Sequence, residues 1–339
     1  MIKWYEKNGP EGDVVISTRI RFARNLAKFP FPCKLKNDQR KEIIKLIKNA
    51  VNSDELSSNY KNLKFLDFND LDELSKLSLL EKHIVSPDFI SGSNEKGLIV
   101  SDDDSISIMI NEEDHIRLQV MAQGLNFEKA FEIADELDSY LDGKLSFAFD
   151  DKLGYLTQCP TNLGTGMRAS VMLHLPGLRE TGVMNKISSN LLKLGLTIRG
   201  IYGEGTEPKG DIYQLSNQVT LGLSEKAAIK NLKDIAMQLV LRERNIRSEL
   251  KKNIEILDRI HRSFGILKNA KIIGSDEFMK LISNVRWGVS INEFDSISYD
   301  KINSLIILTQ PATLSKSNFK ELTSKERDKL RADLIRSNL

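Results

Sequence analysis

Two periodicities divide this 339-residue chain, and the point where one of them stops constrains the fold more than any single motif. Up to about residue 252, short alternating runs that suit strands are interleaved with stretches whose apolar residues recur every three or four positions, as helices require; beyond it only the helical spacing remains. The spacing predicts an α+β domain over 1–252 and a helical domain over 253–339. Strands are expected from Val14 to Asn25 and over 97–101, 105–110, 145–149, 196–202 and 211–217. Helices are expected over 34–51, 70–83 with Asp70 as cap, 127–141, a run starting at Val171, 182–194 and 224–252. The C-terminal helices are placed at 254–268, 276–286, 299–308 and 324–336.

Charge narrows the classes of function. Lys and Arg number 49 against 47 Asp and Glu, a formal +2, so no long-range field is available to gather nucleic acid or an anionic membrane. No apolar run approaches the roughly 20 residues that span a bilayer, and the first residues lack the apolar core of a signal peptide. A cytoplasmic protein that binds neither membrane nor nucleic acid directly is expected. Cys33 and Cys159 are the only cysteines and form no C-x-x-C, which suggests neither a disulfide framework nor a thiolate metal site.

Chemistry concentrates in a few stretches. Residues 111–117 read Asn-Glu-Glu-Asp-His-Ile-Arg, directly after the apolar run 106–110. If extension continues, Glu113, His115 and Arg117 share a face; a solvated acidic turn is the alternative. Arg19 and Arg21, two apart on a strand, point the same way and offer paired guanidinium forks to polyphosphate oxygens, or else blunt an exposed sheet edge. The Gly164-Thr165-Gly166 turn, ahead of a helical pattern, could bring backbone N–H groups to an anion, but no Lys-Ser/Thr follows and it is not a Walker A loop. Cys159 is a reactive thiol or a small buried hydrophobe. His83 closes a helix as a dipole partner, a surface group or a ligand contact. Glu204 and Glu207 ride on a glycine-rich segment, and Arg327 and Arg331 lie four apart on a helix.

Three of these stretches, taken together, carry a resemblance. Ser-Thr-Arg-Ile-Arg-Phe-Ala-Arg at 17–24, Asn-Glu-Glu-Asp-His-Ile-Arg at 111–117 and Cys-Pro-Thr-Asn-Leu-Gly-Thr-Gly-Met-Arg at 159–168 resemble the signature stretches of the ATP:guanido phosphotransferases, the family of creatine and arginine kinases. Glu-Lys-His-Ile-Val-Ser-Pro at 81–87, Arg-Ala-Ser-Val-Met-Leu-His-Leu-Pro at 168–176 and Arg-Gly-Ile-Tyr-Gly-Glu-Gly-Thr-Glu at 199–207 look more like the family's bacterial protein-arginine kinases. The resemblance implies a curved antiparallel sheet flanked by helices, followed by a helical domain used in dimerisation.

It also implies roles. Arg19, Arg21, Arg117, Arg168 and Arg199 match the arginines that hold the ATP phosphates, with Ser17 and Thr18 beside them, and His83 matches the histidine near the base and ribose. Glu113 matches the base that grips the guanidinium, Glu204 the second guanidinium-binding carboxylate and Cys159 the active-site cysteine. Glu112 is expected near Mg2+ through water, the ion being held by ATP phosphates rather than by protein ligands. Arg327, Asp328, Arg331 and Ala332 fit an Arg-Asp-x-x-Arg-Ala pattern that resembles a phosphoarginine-binding regulatory pocket. Implied partners are protein substrates with exposed arginines, an activator of the McsA type, a Clp ATPase, the heat-shock repressor CtsR and a second copy of the chain. Implied functions are marking proteins for Clp-dependent degradation and inactivating that repressor.

Departures favour a protein substrate. Small-molecule members carry a helical domain ahead of the Arg19 strand, which here begins at Val14. Tyr202 and Met172 stand where relatives have basic or histidine side chains near the nucleotide. A kinase for free guanidino compounds and a non-catalytic phosphoarginine adaptor remain the alternatives.

Overall fold

Strand β1 (Val15–Arg24) alternates through its middle, with Ile20 and Phe22 in the hydrophobic core and Arg19 and Arg21 on the opposite side, after an irregularity between Val15 and Ser17. The computed structural model describes residues 1–60, 62–92, 94–200 and 208–339. Around β1 it builds an eight-stranded sheet from β2 (Leu63–Asp67), β3 (Gly97–Ser101), β4 (Ile106–Ile110), β5 (Ile116–Gln123), β8 (Met167–His174), β9 (Leu196–Gly200) and β10 (Ile212–Asn217). Their order is β2-β3-β4-β5-β1-β8-β10-β9, with every neighbouring pair antiparallel. A separate hairpin is formed by β6 (Phe149–Asp150) and β7 (Gly154–Tyr155).

One face of the sheet is closed by helices. Helix α1 (Asn37–Val51) packs with α4 (Phe127–Leu145), α4 lies on β1 and β5, and α7 (Glu225–Leu250) on β8 and β10. Ala130, Ala134 and Leu137 of α4 and Leu232 and Ala236 of α7 join Leu118, Val120, Ala169, Val171 and Leu215 in one core. Each buried aliphatic side chain contributes about 1.5–3 kcal/mol, and that term holds the layers together. Shorter helices α2 (Glu73–Glu81), α3 (Pro87–Ile90), α5 (Pro176–Glu180) and α6 (Met184–Lys193) fill the periphery.

The last helices sit on the other face. They are α8 (Ile254–Asn269), α9 (Ser275–Ser290), α10 (Tyr299–Leu308), α11 (Pro311–Ser317) and α12 (Ser324–Asn338). Their core includes Ile16 and Ile212, which places them over the start of β1 and of β10. Polar bolts fix the contact: the Ala312 and Thr313 amides donate to the Glu81 carboxylate at 2.9 and 2.7 Å, and Arg286 donates to the Gly12 carbonyl at 2.7 Å. Among the described residues no helix is long and apolar enough to cross a membrane.

Several local expectations are corrected. The run from Val171 is strand, because Met167, Ala169, Val171 and Leu173 are buried on every second position, a period of two that its apolar content disguises as a helical face. The cap before α2 is Asp72, accepting from the Ser75 amide, and not Asp70. Leu145 ends α4 rather than opening a strand, since its buried face continues the helical spacing of Leu137 and Leu141. The strand β2 and the short helices α3, α5 and α11 had no expectation; each is too brief to show a period.

Candidate active site

The sheet's register assembles the site. Arg21 lies opposite Gln119 on one side and Arg168 on the other, Arg19 opposite Ser170, and Arg199 opposite Gln214, itself opposite Met172. Directly paired residues of antiparallel strands project to the same face, so Arg19, Arg21, Arg117, Arg168 and Arg199 all rise from the face not covered by α4 and α7. The pairwise expectation for Arg19 and Arg21 extends to five arginines from four strands. Arg19 donates to Gln214 Oε1 at 2.7 Å, Arg199 to Thr197 Oγ1 at 3.1 Å, and Arg168 to Asn162 Oδ1 at 3.0 Å.

Their electrostatics are unbalanced. Burial and the adjacent Arg117 charge push Arg19 down to about 10, and burial with the charges of Arg19, Arg117 and Arg168 holds Arg21 well below its ordinary value. Burial and Arg117 also lower Arg168. Arg117 goes the other way: burial opposes its charge, but the Glu112 carboxylate, 2.5 Å from Nη1, overrides that. Arg21 Nε is buried with no hydrogen-bond partner. Like charges gathered at this density, with an orphaned N–H among them, fit a polyanion.

The acidic stretch is a tight turn. Asn111, at φ +64°, donates its amide to the His115 carbonyl at 3.0 Å, and its side chain is pinned to the carbonyls of Arg40 and Glu95. Extension therefore breaks at 111–115, and His115 does not share a face with Glu113 and Arg117. It turns inward instead: the Leu26 amide donates to its Nδ1 at 3.0 Å and Nε2 lies 3.0 Å from the Pro30 carbonyl. Asn25 clamps the turn, donating to Asp114 at 2.6 Å and accepting from the His115 amide at 2.9 Å. The turn delivers two carboxylates to the edge of the arginine cluster. Glu112 is bonded to Ser86 through one oxygen and to Arg117 through the other, so it orients Arg117. Glu113 keeps more freedom, accepting from Asn162 Nδ2 at 3.3 Å.

Cys159 approaches from the facing loop, its Sγ 3.1 Å from Thr161 Oγ1. The Thr220 hydroxyl holds that loop by donating to the Thr161 and Leu163 carbonyls at 3.1 and 2.6 Å. Gly164 and Gly166 serve packing here and not an anion nest: a Cβ on Gly164 would meet the Thr220 carbonyl at 2.4 Å, the Thr165 amide is spent on that same carbonyl, and a strand follows. Asn162 bridges Glu113 and Arg168, and with Gln214 and Asn25 it is a site residue that sequence reasoning missed. Its only signal was membership of the Cys-Pro-Thr-Asn stretch.

At the other end of the cluster His83 sits just past α2 at φ +59°. Burial and the Arg19 charge push it down to about 4. It lines a narrow cavity with Met172, Ile16, Tyr5 and Ile307. Ser17 is on the arginine face but 2% exposed, whereas Thr18 points to the other face, where its hydroxyl donates to the Gly124 carbonyl at 2.7 Å. Thr18 is therefore buried on the face opposite the arginines. Glu204 and Tyr202 lie outside the described residues. In the C-terminal helices Arg331 is buried, donating to the carbonyls of Thr309 and Ile273 and to Asp328, and Ala332 is in the core; Arg327 donates to the Leu322 carbonyl and to Ser324. Among the described residues no group of three or more His, Cys, Asp or Glu is placed to hold a metal.

Three buried histidines make the fold acid-sensitive. His83 and His115 are each pushed down to about 4 and His174 well below its ordinary value, in every case chiefly by burial. The unfolded chain takes up these protons near pH 6.5 and the folded one does not, so stability is complete above about 6.5 and is lost as pH falls towards 4. For His115 protonation also removes the acceptor of the Leu26 amide. Thermal melts should show a lower Tm at pH 5 than at pH 7, at a cost on the order of 1–2 kcal/mol per histidine. An unchanged Tm would contradict neutral burial of these rings.

Comparison with known proteins agrees with this geometry. Residues 42–246 match the model of the ATP:guanido phosphotransferase C-terminal catalytic domain, and the chain belongs to that family. Residues 253–339 match the model of the protein-arginine kinase McsB C-terminal domain. A protein-arginine kinase of Halothermothrix orenii is 46% identical over 99% of this chain and 96% of its own length. One of Clostridium acetobutylicum is 44% identical over 100% of both. A lombricine kinase structure superposes with a TM-score of 0.63 at 25% identity, covering 71% of this chain and 69% of its own.

Proposed function

We propose that the chain is a protein-arginine kinase that transfers the γ-phosphate of Mg-ATP to the guanidinium of arginine residues in proteins. The observation that carries this reading is the five-arginine face with its orphaned Arg21 Nε, bordered by Glu113 and Cys159. The full-length likeness to protein-arginine kinases supports a polypeptide acceptor.

In this mechanism the chain positions and neutralises. Arg19, Arg21, Arg117, Arg168 and Arg199 bind the phosphates, with His83 and Met172 at the base end of the row and Asn162 linking Arg168 to Glu113. The transferred group passes through a loose transition state whose charge spreads over equatorial oxygens, so fixed cations do most of the work. Mg2+ bound with the ATP phosphates would supply further positive charge, while Glu112 holds Arg117 in place. The acceptor guanidinium has a pKa above about 12 and is a poor nucleophile while protonated. Glu113, with Glu204 as a second carboxylate, grips the planar cation, aims one nitrogen at the γ-phosphorus and takes its proton. A P–N bond forms, the bond to the bridging oxygen breaks, and ADP leaves. Cys159 sits beside the guanidinium.

Residues 1–252 form the catalytic unit and 253–339 a dimerising, regulatory unit in this reading, with Arg327, Asp328, Arg331 and Ala332 around a phosphoarginine site. The protein works in the cytoplasm on proteins destined for a Clp ATPase and on the repressor CtsR, with an activator of the McsA type. Labelled Mg-ATP offered to an arginine-rich protein, with free arginine in a parallel tube, tests the core of this. Acid-labile label on the protein alone is expected; label on free arginine alone would replace this reading with that of a small-molecule guanidino kinase.

A further inference from the structure

A groove of roughly 400 Å³ opens on the surface immediately behind the Cys159 loop. The β6–β7 hairpin forms one wall with Phe149, Leu153 and Tyr155, residues 221–223 form the other, and Gly164 and Thr165 form the floor. Its apolar side chains are unusually open: Phe149 is 57% exposed, Leu221 and Leu223 each 48% and Leu153 43%. Scattered exposed apolar side chains need no explanation, but three leucines and a phenylalanine lining one groove do.

The walls are braced. Asp150 accepts from the Lys152 and Leu153 amides at 2.9 and 3.0 Å, which pins the hairpin turn, and Phe149 packs edge-on against Tyr155 with centroids 5.2 Å apart. Behind Tyr155 lies the Arg24 guanidinium, 3.5 Å from the ring centroid. Glu225 lines the groove with the buried Arg24 guanidinium 3.9 Å behind it, and Asp150 and Asp151 stand exposed beside Phe149 with Lys152 between them and Leu153, so the exposed rim carries more acidic than basic groups. One lining residue is also tied to the Cys159 loop. Thr220, a lining residue, donates to the Thr161 carbonyl, and the Thr161 hydroxyl touches the Cys159 sulfur.

We infer that this groove docks the stretch of substrate polypeptide flanking the target arginine, with apolar side chains seated on Phe149, Leu221 and Leu223 and the acidic rim facing the substrate's positive charge. The inference rests on the protein-arginine kinase reading. A free guanidino compound has nothing to place here.

Two peptides of equal length and charge test it, each with a single arginine, one flanked by Leu and Phe and the other by Ser and Gly. The full-length protein should phosphorylate the apolar peptide with a kcat/KM about tenfold higher, through KM. Phe149→Ser and, separately, Leu223→Ser should each bring that ratio towards one while leaving the polar-peptide rate and the KM for ATP unchanged; using opposite walls guards against a local folding defect in either. A ratio that survives both substitutions overturns the proposal. So does an equal fall for both peptides with a change in molecular mass on size exclusion, which would make the groove a contact between copies. If the unsubstituted protein labels neither peptide, the kinase reading fails first and the groove proposal with it.

Discussion

Glu113→Gln should lower phosphate transfer to protein arginine by roughly 10²–10⁴-fold, the range for loss of a positioned general base, while the protein folds and binds Mg-ATP as before. The substitution keeps the size of the side chain and its contact with Asn162 Nδ2. It removes the negative charge that holds the guanidinium and the site that receives its proton. Because the arginine row is untouched, the thermal shift given by Mg-ATP should be retained, which separates chemistry from nucleotide binding. Turnover within threefold of the unsubstituted rate would exclude Glu113 as the base.

Arg21→Met should do the opposite to the two properties: stabilise the nucleotide-free protein and destroy its use of ATP. Arg21 is surrounded by Arg19, Arg117 and Arg168 with Glu112 as its opposing charge, and its Nε is unsatisfied. Replacing it with an apolar side chain of similar length relieves that repulsion, for a gain on the order of 1–2 kcal/mol and a Tm a few degrees higher. Loss of a charge-assisted contact to phosphate should weaken Mg-ATP by about a hundredfold, so the ligand-induced rise in Tm seen in the unsubstituted protein should vanish. A variant that melts lower without nucleotide would show that the arginine row is structural.

The parts of this site that were legible in the sequence are those with a short period. Two arginines two apart in a β-branched run must share a face, and the register then adds Arg168 and Arg117 without further assumptions. What was illegible depends on backbone that no period encodes. The turn at 111–115 reverses His115 because Asn111 adopts a positive φ, and nothing local to the seven residues distinguishes that from continued extension. Asn162 reaches Glu113 across 49 positions of sequence, and Thr18 differs from Ser17 only in which face it meets. The Val171 run was misread because a strand buried on one face in a long apolar stretch offers a helical spacing as well.

Arg24 gives β1 a second use. It lies on the face covered by α4, where Nε and Nη2 donate to Asp138 at 3.0 and 2.8 Å, yet its Nη1 reaches the Thr165 carbonyl at 2.8 Å, in the loop that leads from Cys159 to Arg168. A single side chain thus ties a helix behind the sheet to the strip of backbone in front of it. Lysine could not make that span, having one nitrogen where three are needed. The rear helix is in this sense coupled to the loop between Cys159 and Arg168, so loss of the Asp138 carboxylate is expected to disturb that loop by way of one guanidinium.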